Sequence, residues 1–371
     1  MQRIYLDANA TTPLDSRVRD AMIPWLDAGN ASSPHAEGRY ARAAIDDARE
    51  KVAALIGATP REVIFTSGAT ESNAIALLGT LRATGGTKAA CTSIEHPAVL
   101  HLLEALRPAL ELDVLAVDEH GRLASDVPLP DDAAIVSIML ANNETGVVLP
   151  VARCAARTDA IVHCDAVQAC GKMPVNVHDL GVDLLSLSAH KMGGPKGVGA
   201  LYVRAGTKIK PIAHGGEHER GLRAGTENVA AIVGLGAAAE LASQEMERRA
   251  ETWSALSAHL MGRIQSEISD ARINSPERDR IQNTVSVTLQ GVEGEAVLLG
   301  LDLEGIAVAT GSACSSGAAE PSHVLRALGL SREQAESSIR ISMHAQTTRE
   351  EVDRAVDSLA RVVKKLRTLS V

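Results

Sequence analysis

Reactive side chains recur in this chain just beyond short apolar runs. Glu95-His96-Pro97 follows Ala89–Ser93, Asn142-Asn143-Glu144 follows Ala133–Leu140, Asp165 with Gln168 three residues on follows Ala160–Cys164, and Ala189-His190-Lys191 follows Leu184–Ser188. After Val63–Phe65 comes Thr66-Ser67-Gly68-Ala69-Thr70-Glu71-Ser72-Asn73, a small-residue loop that opens a helical stretch. Free N–H groups at such a helix start, with the helix dipole behind them, suit a phosphate. Each segment alone is ordinary: a strand-end Asp commonly caps, a lone His is usually a satisfied polar group, and Thr70 can cap a plain helix. Ligands of open parallel sheets sit beyond the carboxyl ends of the strands, so these residues together describe one crevice.

A carboxylate, an imidazole, a lysine and a phosphate cradle in one crevice are the parts that pyridoxal phosphate requires. The amine condenses with the aldehyde, the carboxylate keeps the pyridine nitrogen protonated, and the imidazole lies against the ring. Lys191 is the best candidate because it closely follows a buried strand; Lys172 and Lys196 are the alternatives.

The elements that must position these groups alternate strand and helix, which implies a mainly parallel sheet covered on both faces, an α/β fold. Predicted strands are Val63–Phe65, Ala89–Ser93, Leu112–Val117, Ala133–Leu140, Ala160–Cys164, Leu184–Ser188 and Ala200–Val203, with helices over Arg39–Ile56, Glu71–Arg82 and Pro97–Leu106. From about Ala230 the pattern changes to a long charged helix, Ala237–Ile268. It is followed by a strand Asn283–Leu289, a helix Glu293–Asp302, a strand Ile306–Ala309, a helix Ser322–Leu328, a strand Ser338–Ser342 and a helix Thr348–Leu369. That shift marks a second, smaller α+β domain. The expected division is a large cofactor-binding domain over 14–250 and a small domain made of 1–13 and 251–371.

Composition narrows the classes. With 371 residues, two or three domains are expected. Aromatic residues make up 2% and the net charge is −9, which disfavours a stacked-base surface or a phosphate-backbone stripe, so nucleic acid is not expected as a direct ligand. Met1–Pro13 turns polar at once, and the longest apolar stretch, Val229–Ala239, is far short of the roughly 20 residues of a membrane span. A cytoplasmic location without membrane attachment is the expectation. The five cysteines, Cys91, Cys154, Cys164, Cys170 and Cys314, form no CxxC pair. Neither a disulfide framework nor a metal site is expected, and His163-Cys164-Asp165 lacks spaced partners. Four of them read as small buried hydrophobes. Cys314 differs: it lies in Thr310-Gly311-Ser312-Ala313-Cys314-Ser315-Ser316-Gly317-Ala318-Ala319, a small and polar run that reads as a mobile loop.

Several segments in order carry a resemblance: Tyr5-Leu6-Asp7-Ala8-Asn9-Ala10-Thr11-Thr12, Asn30-Ala31-Ser32-Ser33-Pro34-His35, the Thr66–Asn73 loop, Ser188-Ala189-His190-Lys191, Arg223-Ala224-Gly225-Thr226-Glu227-Asn228, Gly311-Ser312-Ala313-Cys314 and Ser338-Ile339-Arg340. Over nearly its whole length the chain resembles the cysteine desulfurases of the nitrogen-fixation and iron–sulfur-cluster type, fold-type I pyridoxal-phosphate enzymes of the class-V aminotransferase family. The resemblance implies a large domain with a mainly parallel seven-stranded sheet. It implies that Lys191 carries the cofactor, Asp165 pairs with its pyridinium nitrogen, Gln168 bonds its ring oxygen, and His96 stacks on the ring and moves protons. Ala69, Thr70, Ser188 and His190 would hold the phosphate, joined by Thr226 from a second copy in a homodimer. Asn143 would lie at the ring and substrate side, Arg340 would clamp the carboxylate of L-cysteine, and Asn9 and His35 would stand on the substrate side. Cys314 would take the sulfur as a persulfide for a protein acceptor or scaffold, in iron–sulfur cluster assembly, tRNA thiolation or DNA phosphorothioation. The alternatives are a selenocysteine lyase or other fold-type I aminotransferase, and a non-catalytic sulfur-carrier scaffold. Two departures from the family pattern are Ala309-Thr310 before the cysteine motif and His218 in place of a frequent glutamine.

Overall fold

The computed structural model describes residues 3–124, 126–311 and 320–369. Its largest sheet has seven strands in the spatial order Val63–Thr66, Gly199–Val203, Leu184–Ser188, Ile161–Asp165, Ile135–Ser137, Lys88–Thr92 and Glu111–Leu115. The last five strands of that order pair in parallel. Gly199–Val203 runs antiparallel to both its neighbours. The reason is chain length: residues 189–198 are too few for the crossover that a parallel pairing needs, so the chain turns straight back. That short return carries Lys191. Leu184–Ser188 is buried at every position, as a strand covered on both faces must be.

A second, four-stranded sheet is antiparallel throughout and joins Ala309–Thr310, Ser338–Ser342, Thr284–Leu289 and Ala271–Ile273. The predicted strand Ile306–Ala309 is in fact two short pieces. Ile306–Ala307 pairs in parallel with Ile4–Tyr5, and Ala309–Thr310 joins the sheet beside Arg340. The chain start is thereby stitched to the second half of the sequence, and Ile4 and Leu6 share an apolar cluster with Leu260, Val287, Leu301 and Leu359. The terminal helix Arg349–Leu369 buries Val352, Ala355, Val356, Leu359 and Val363, the stripe that a period of 3.6 produces.

One helix, Val229–Glu267, links the two cores. Its first part, through Leu235 and Ala242, packs in the cluster of the large sheet, and its later part, through Trp253, Leu260 and Ile264, packs in the other. It begins eight residues earlier than its amphipathic pattern predicts. The early stretch is apolar all round because it is enclosed: Gly236 lies so close to the helix Ala36–Ile56 that an added methyl would stand 2.7 Å from the Ala48 Cα. Asn228 caps this start, accepting from the Ala231 N–H at 3.1 Å.

Leu260 is fully buried where the helix meets the smaller core. Leu260→Ala is expected to cost about 2–5 kcal/mol of stability, measured as a lowered denaturant midpoint, and an unchanged midpoint would show that the site collapses without a cavity.

Candidate active site

Asp165 ends the strand Ile161–Asp165 and is buried. Asn73, from the helix Ala69–Thr84, donates to Asp165 Oδ2 at 2.9 Å, and the Val167 N–H donates to Oδ1 at 3.0 Å. One donor on each oxygen suits a charged carboxylate. Two residues earlier on the same face lies His163, whose Nδ1 meets Ser137 Oγ at 2.8 Å and whose Nε2 meets Ser186 Oγ at 3.0 Å. Both ring nitrogens are spent on neighbouring strands, which leaves none for a metal. Burial takes the ring down to about 4, so it is a neutral brace under Asp165 near pH 7.

The three candidate lysines now separate. Lys196 is exposed. Lys172 is buried and donates to Asn9 Oδ1 at 3.0 Å and to Gln168 Oε1. Lys191 Nζ donates to the main-chain oxygens of Asn9 at 2.6 Å and Ala10 at 2.9 Å. The turn that carries it is clamped by the N-terminal segment. Thr12 donates to the His190 carbonyl through N at 2.8 Å and through Oγ1 at 2.9 Å, and the Gly193 N–H donates to Thr12 Oγ1 at 2.8 Å. His190 Nδ1 lies 3.2 Å from Thr11 Oγ1, and burial, then the charges of Lys191, Lys196 and Lys172, lower this imidazole to about 4.

His96 caps the helix Pro97–Glu104, with Nδ1 accepting from the Ala98 N–H at 3.1 Å, so the proton of the neutral ring is on Nε2. Burial and then the Lys191 charge lower its proton affinity, against the pull of Asp165. Ser188 is buried at the end of its strand. Ala69 opens the helix Ala69–Thr84 with Gly68 before it, and no side chain caps that start. Thr70 is therefore not the cap but an exposed first-turn residue. The space over Gly68 is open, whereas a methyl on the adjacent Gly199 would stand 2.8 Å from the Gly68 Cα. An uncapped helix start facing open space beside Ser188, with Asp165 and Lys191 at neighbouring strand ends, fits the phosphate, ring nitrogen and aldehyde of pyridoxal phosphate.

From the other sheet, Arg340 donates to the Asn143 carbonyl at 3.2 Å and to Asp7 Oδ1 at 2.7 Å. It is 5% exposed, and its Nε has no acceptor among the described residues. Asn9, expected on the substrate side, is buried. Its carboxamide nitrogen bonds the Asn143 carbonyl and Thr284 Oγ1, and its oxygen takes Lys172 and Asn283. Asn9 is the joint of the site. His35 is exposed; its Nδ1 accepts from the Gly38 N–H and caps the helix Ala36–Ile56, and this bond does not reach the Lys191 group. Thr226 is exposed next to Glu227, which is held by Arg42 at 2.8 Å and His218 at 3.0 Å. Cys314 lies outside the described residues.

Two further buried charged groups support the site: Glu144, already read at its strand end, and Arg49, which escaped the sequence reading. Glu144 is buried against Ser322, with burial raising its carboxyl to about 7, and a methyl on Gly311 would stand 2.8 Å from its Oε2. Arg49 is buried in a two-bond pair with Glu219, each bond 2.7 Å, which anchors the loop leading to Thr226. Sequence spacing holds no signal for a pair so distant along the chain.

Glu95, beside His96, is fully buried. Its Oε1 takes both donors, Thr92 Oγ1 and the Met139 N–H, each at 2.7 Å, while Oε2 has no partner among the described residues. Burial raises the carboxyl to about 8. A raised folded value favours the fold below the ordinary value of about 4.5, and that advantage is lost as pH climbs through 8. Glu95→Gln should therefore lose less thermal stability than the parent between pH 5 and pH 8.5; parallel melting curves would show that Glu95 does not retain a proton.

The sequence pattern of the aminotransferase class-V family matches residues 4–355. A cysteine desulfurase IscS of Dictyoglomus turgidum is 48% identical over 382 residues, covering 100% of this chain and 96% of that one. A cysteine desulfurase of Trichormus azollae is 43% identical and covers 100% and 95%. Among solved structures, a NifS-like protein superposes with a TM-score of 0.92 at 36% identity, covering 98% of this chain and 100% of its own. DndA from Streptomyces lividans superposes with a TM-score of 0.77 at 38% identity, covering 91% and 99%. With this sheet order, these strand-end residues and relatives matched end to end, the chain belongs to the class-V aminotransferase family, among its cysteine desulfurases.

Proposed function

We propose that this protein takes sulfur from L-cysteine, with pyridoxal phosphate bound at the strand ends, and holds it as a persulfide on Cys314. The observation that carries the reading is the meeting of Lys191, Asp165, His96, an uncapped helix start and Arg340 at one edge of the large sheet. The solved structures similar to this chain include one titled SspA in complex with cysteine, with a TM-score of 0.80 at 33% identity.

When bound, the cofactor supplies an electron sink for the substrate's carbon skeleton. The chain supplies the rest. Lys191 would hold the aldehyde carbon, and Asp165, fixed by Asn73, would keep a proton on the pyridine nitrogen. Gln168 would bond the ring oxygen. His96, with a proton on Nε2, would move protons at the substrate. Ala69, Thr70, Ser188 and His190 would hold the phosphate, completed by Thr226 from a second copy in a two-fold homodimer. Arg340, steadied by Asp7, offers its unpartnered Nε to the substrate carboxylate, beside Asn143. The Cys314 thiolate attacks the cysteine sulfur; one sulfur–sulfur bond forms, the carbon–sulfur bond breaks, and the carbon fragment takes up protons and leaves as alanine. The sulfur atom is oxidised as the carbon is reduced, so no outside oxidant enters. Release of the sulfur requires a thiol acceptor, here a protein serving cluster assembly, tRNA thiolation or DNA phosphorothioation. Residues 14–250 form the cofactor-binding domain, and 1–13 with 251–371 form the domain that brings Arg340 and Cys314. A cytoplasmic location accords with the reducing conditions that keep a single catalytic thiol free.

Mixing the purified protein with L-cysteine should yield alanine at once and sulfide only after a reducing thiol is added. Cys314→Ala should lower turnover about a hundredfold or more while the visible cofactor band persists, and Lys191→Ala should abolish that band. Turnover by Cys314→Ala at the parent rate would overturn the persulfide. Arg340→Lys replaces a planar two-donor fork by a point charge, and should raise KM for cysteine about tenfold with a smaller change in kcat; an unchanged KM would remove Arg340 from the substrate.

A further inference from the structure

Lys172 is a buried amine that the reaction above leaves without a task. It is 5% exposed, and its two bonds go to neutral oxygens, Asn9 Oδ1 and Gln168 Oε1. Burial, then the charges of Lys191 and Arg340, push its proton affinity well below that of an ordinary lysine. A cation placed for stability would have a carboxylate beside it, and no such bond is present among the described residues. A water-sized cavity of about 20 Å³ lies between Lys172, Lys191, Trp253 and His344.

A carboxamide has one accepting end and one donating end, and the neighbours decide which way it faces. Charged or neutral, the Lys172 amine has an N–H for each of its two oxygens. It draws Gln168 Oε1 to itself, which turns Gln168 Nε2 the other way. One Nε2 hydrogen goes to the Asn9 carbonyl at 3.0 Å, the same oxygen that takes Lys191 Nζ. The second Nε2 hydrogen is left for a ligand. Without Lys172 the Oε1 atom is a buried acceptor lacking a donor, a state that costs about 1–3 kcal/mol and drives the carboxamide to turn. Asn9 does not depend on Lys172 in this way, because Asn283, Thr284 and the Asn143 carbonyl already fix its orientation.

We propose that Lys172 is a positioning residue whose amine turns the Gln168 carboxamide so that its N–H, and not its carbonyl, is offered to the ring oxygen of bound pyridoxal phosphate. This rests on the reading that Gln168 bonds that oxygen. The test is a double-variant cycle on the holoenzyme, read by the position of the visible cofactor band and by the dissociation constant for pyridoxal phosphate. Gln168→Leu should move the band and weaken cofactor binding about tenfold, the loss of one hydrogen bond. Lys172→Met should move the band the same way and to a similar extent, and the double variant should go no further than either alone. Lys172→Arg retains a donor-only side chain, with the adjacent cavity to take its bulk, and should keep the parent band. If Lys172→Met does not fold, Lys172→Arg decides: a band displaced like that of Gln168→Leu overturns the proposal. A parent-like band in Lys172→Met while Gln168→Leu is displaced, or additive effects in the double variant, overturns it too. A parent-like band in Gln168→Leu removes the reading of Gln168 and this proposal with it.

Discussion

The site depends on one buried carboxamide. Asn9 is 1% exposed, and a polar side chain so enclosed must have its bonds made within the protein. Its side chain takes Lys172 and Asn283 on the oxygen and gives to Thr284 and the Asn143 carbonyl from the nitrogen. Its main-chain oxygen takes Gln168 and Lys191, and its N–H reaches Ser342 at 2.9 Å. One residue near the chain start therefore ties the strand-end loops of the large sheet to the strands of the small one. Geometry around Lys191 and Arg340 follows from where this joint is placed, since both lean on carbonyls that Asn9 owns or holds.

Charge in the site is sorted by burial and by the distribution of donors. His163 and His190 are both lowered to about 4 because the enclosed imidazolium is poorly solvated, and nearby lysines add to the effect at His190. Asp165 has a donor on each oxygen. Glu95 has two donors on one oxygen and none on the other, and burial raises it to about 8. Two acids in one region thus have different hydrogen-bond environments, and it is the enclosed Glu95 that retains a proton.

Much of this was legible beforehand. Six strands of the large sheet show as short, largely apolar runs because they are mostly buried, while the edge strand Glu111–Leu115 alternates and exposes Glu111 and Val114. The terminal helix was legible because it is exposed on one side, so its stripe shows a clear period. The first turns of Val229–Glu267 were not, since a helix enclosed all round has no such stripe. The strand expected at Ile306–Ala309 divides between two sheets because pairing partners far along the chain decide where a short extended piece belongs. That Asn9 is a buried joint was not legible for the same reason: its partners come from 134 to 275 positions away.

Residue types and their local order alone determined the α/β class, the lysine and aspartate at successive strand ends, the small-residue helix start and the family resemblance. Those features live in chemistry and in spacing of a few residues, which a sequence states directly. Only the tertiary structure decided that Lys191 leans on the main-chain oxygens of Asn9 and Ala10 while Lys172 is enclosed, that Arg340 arrives from another sheet, and which end of Gln168 is turned toward Lys172. These are outcomes of long-range packing and of hydrogen-bond satisfaction in a buried site, and such constraints arise only once distant segments have been brought together.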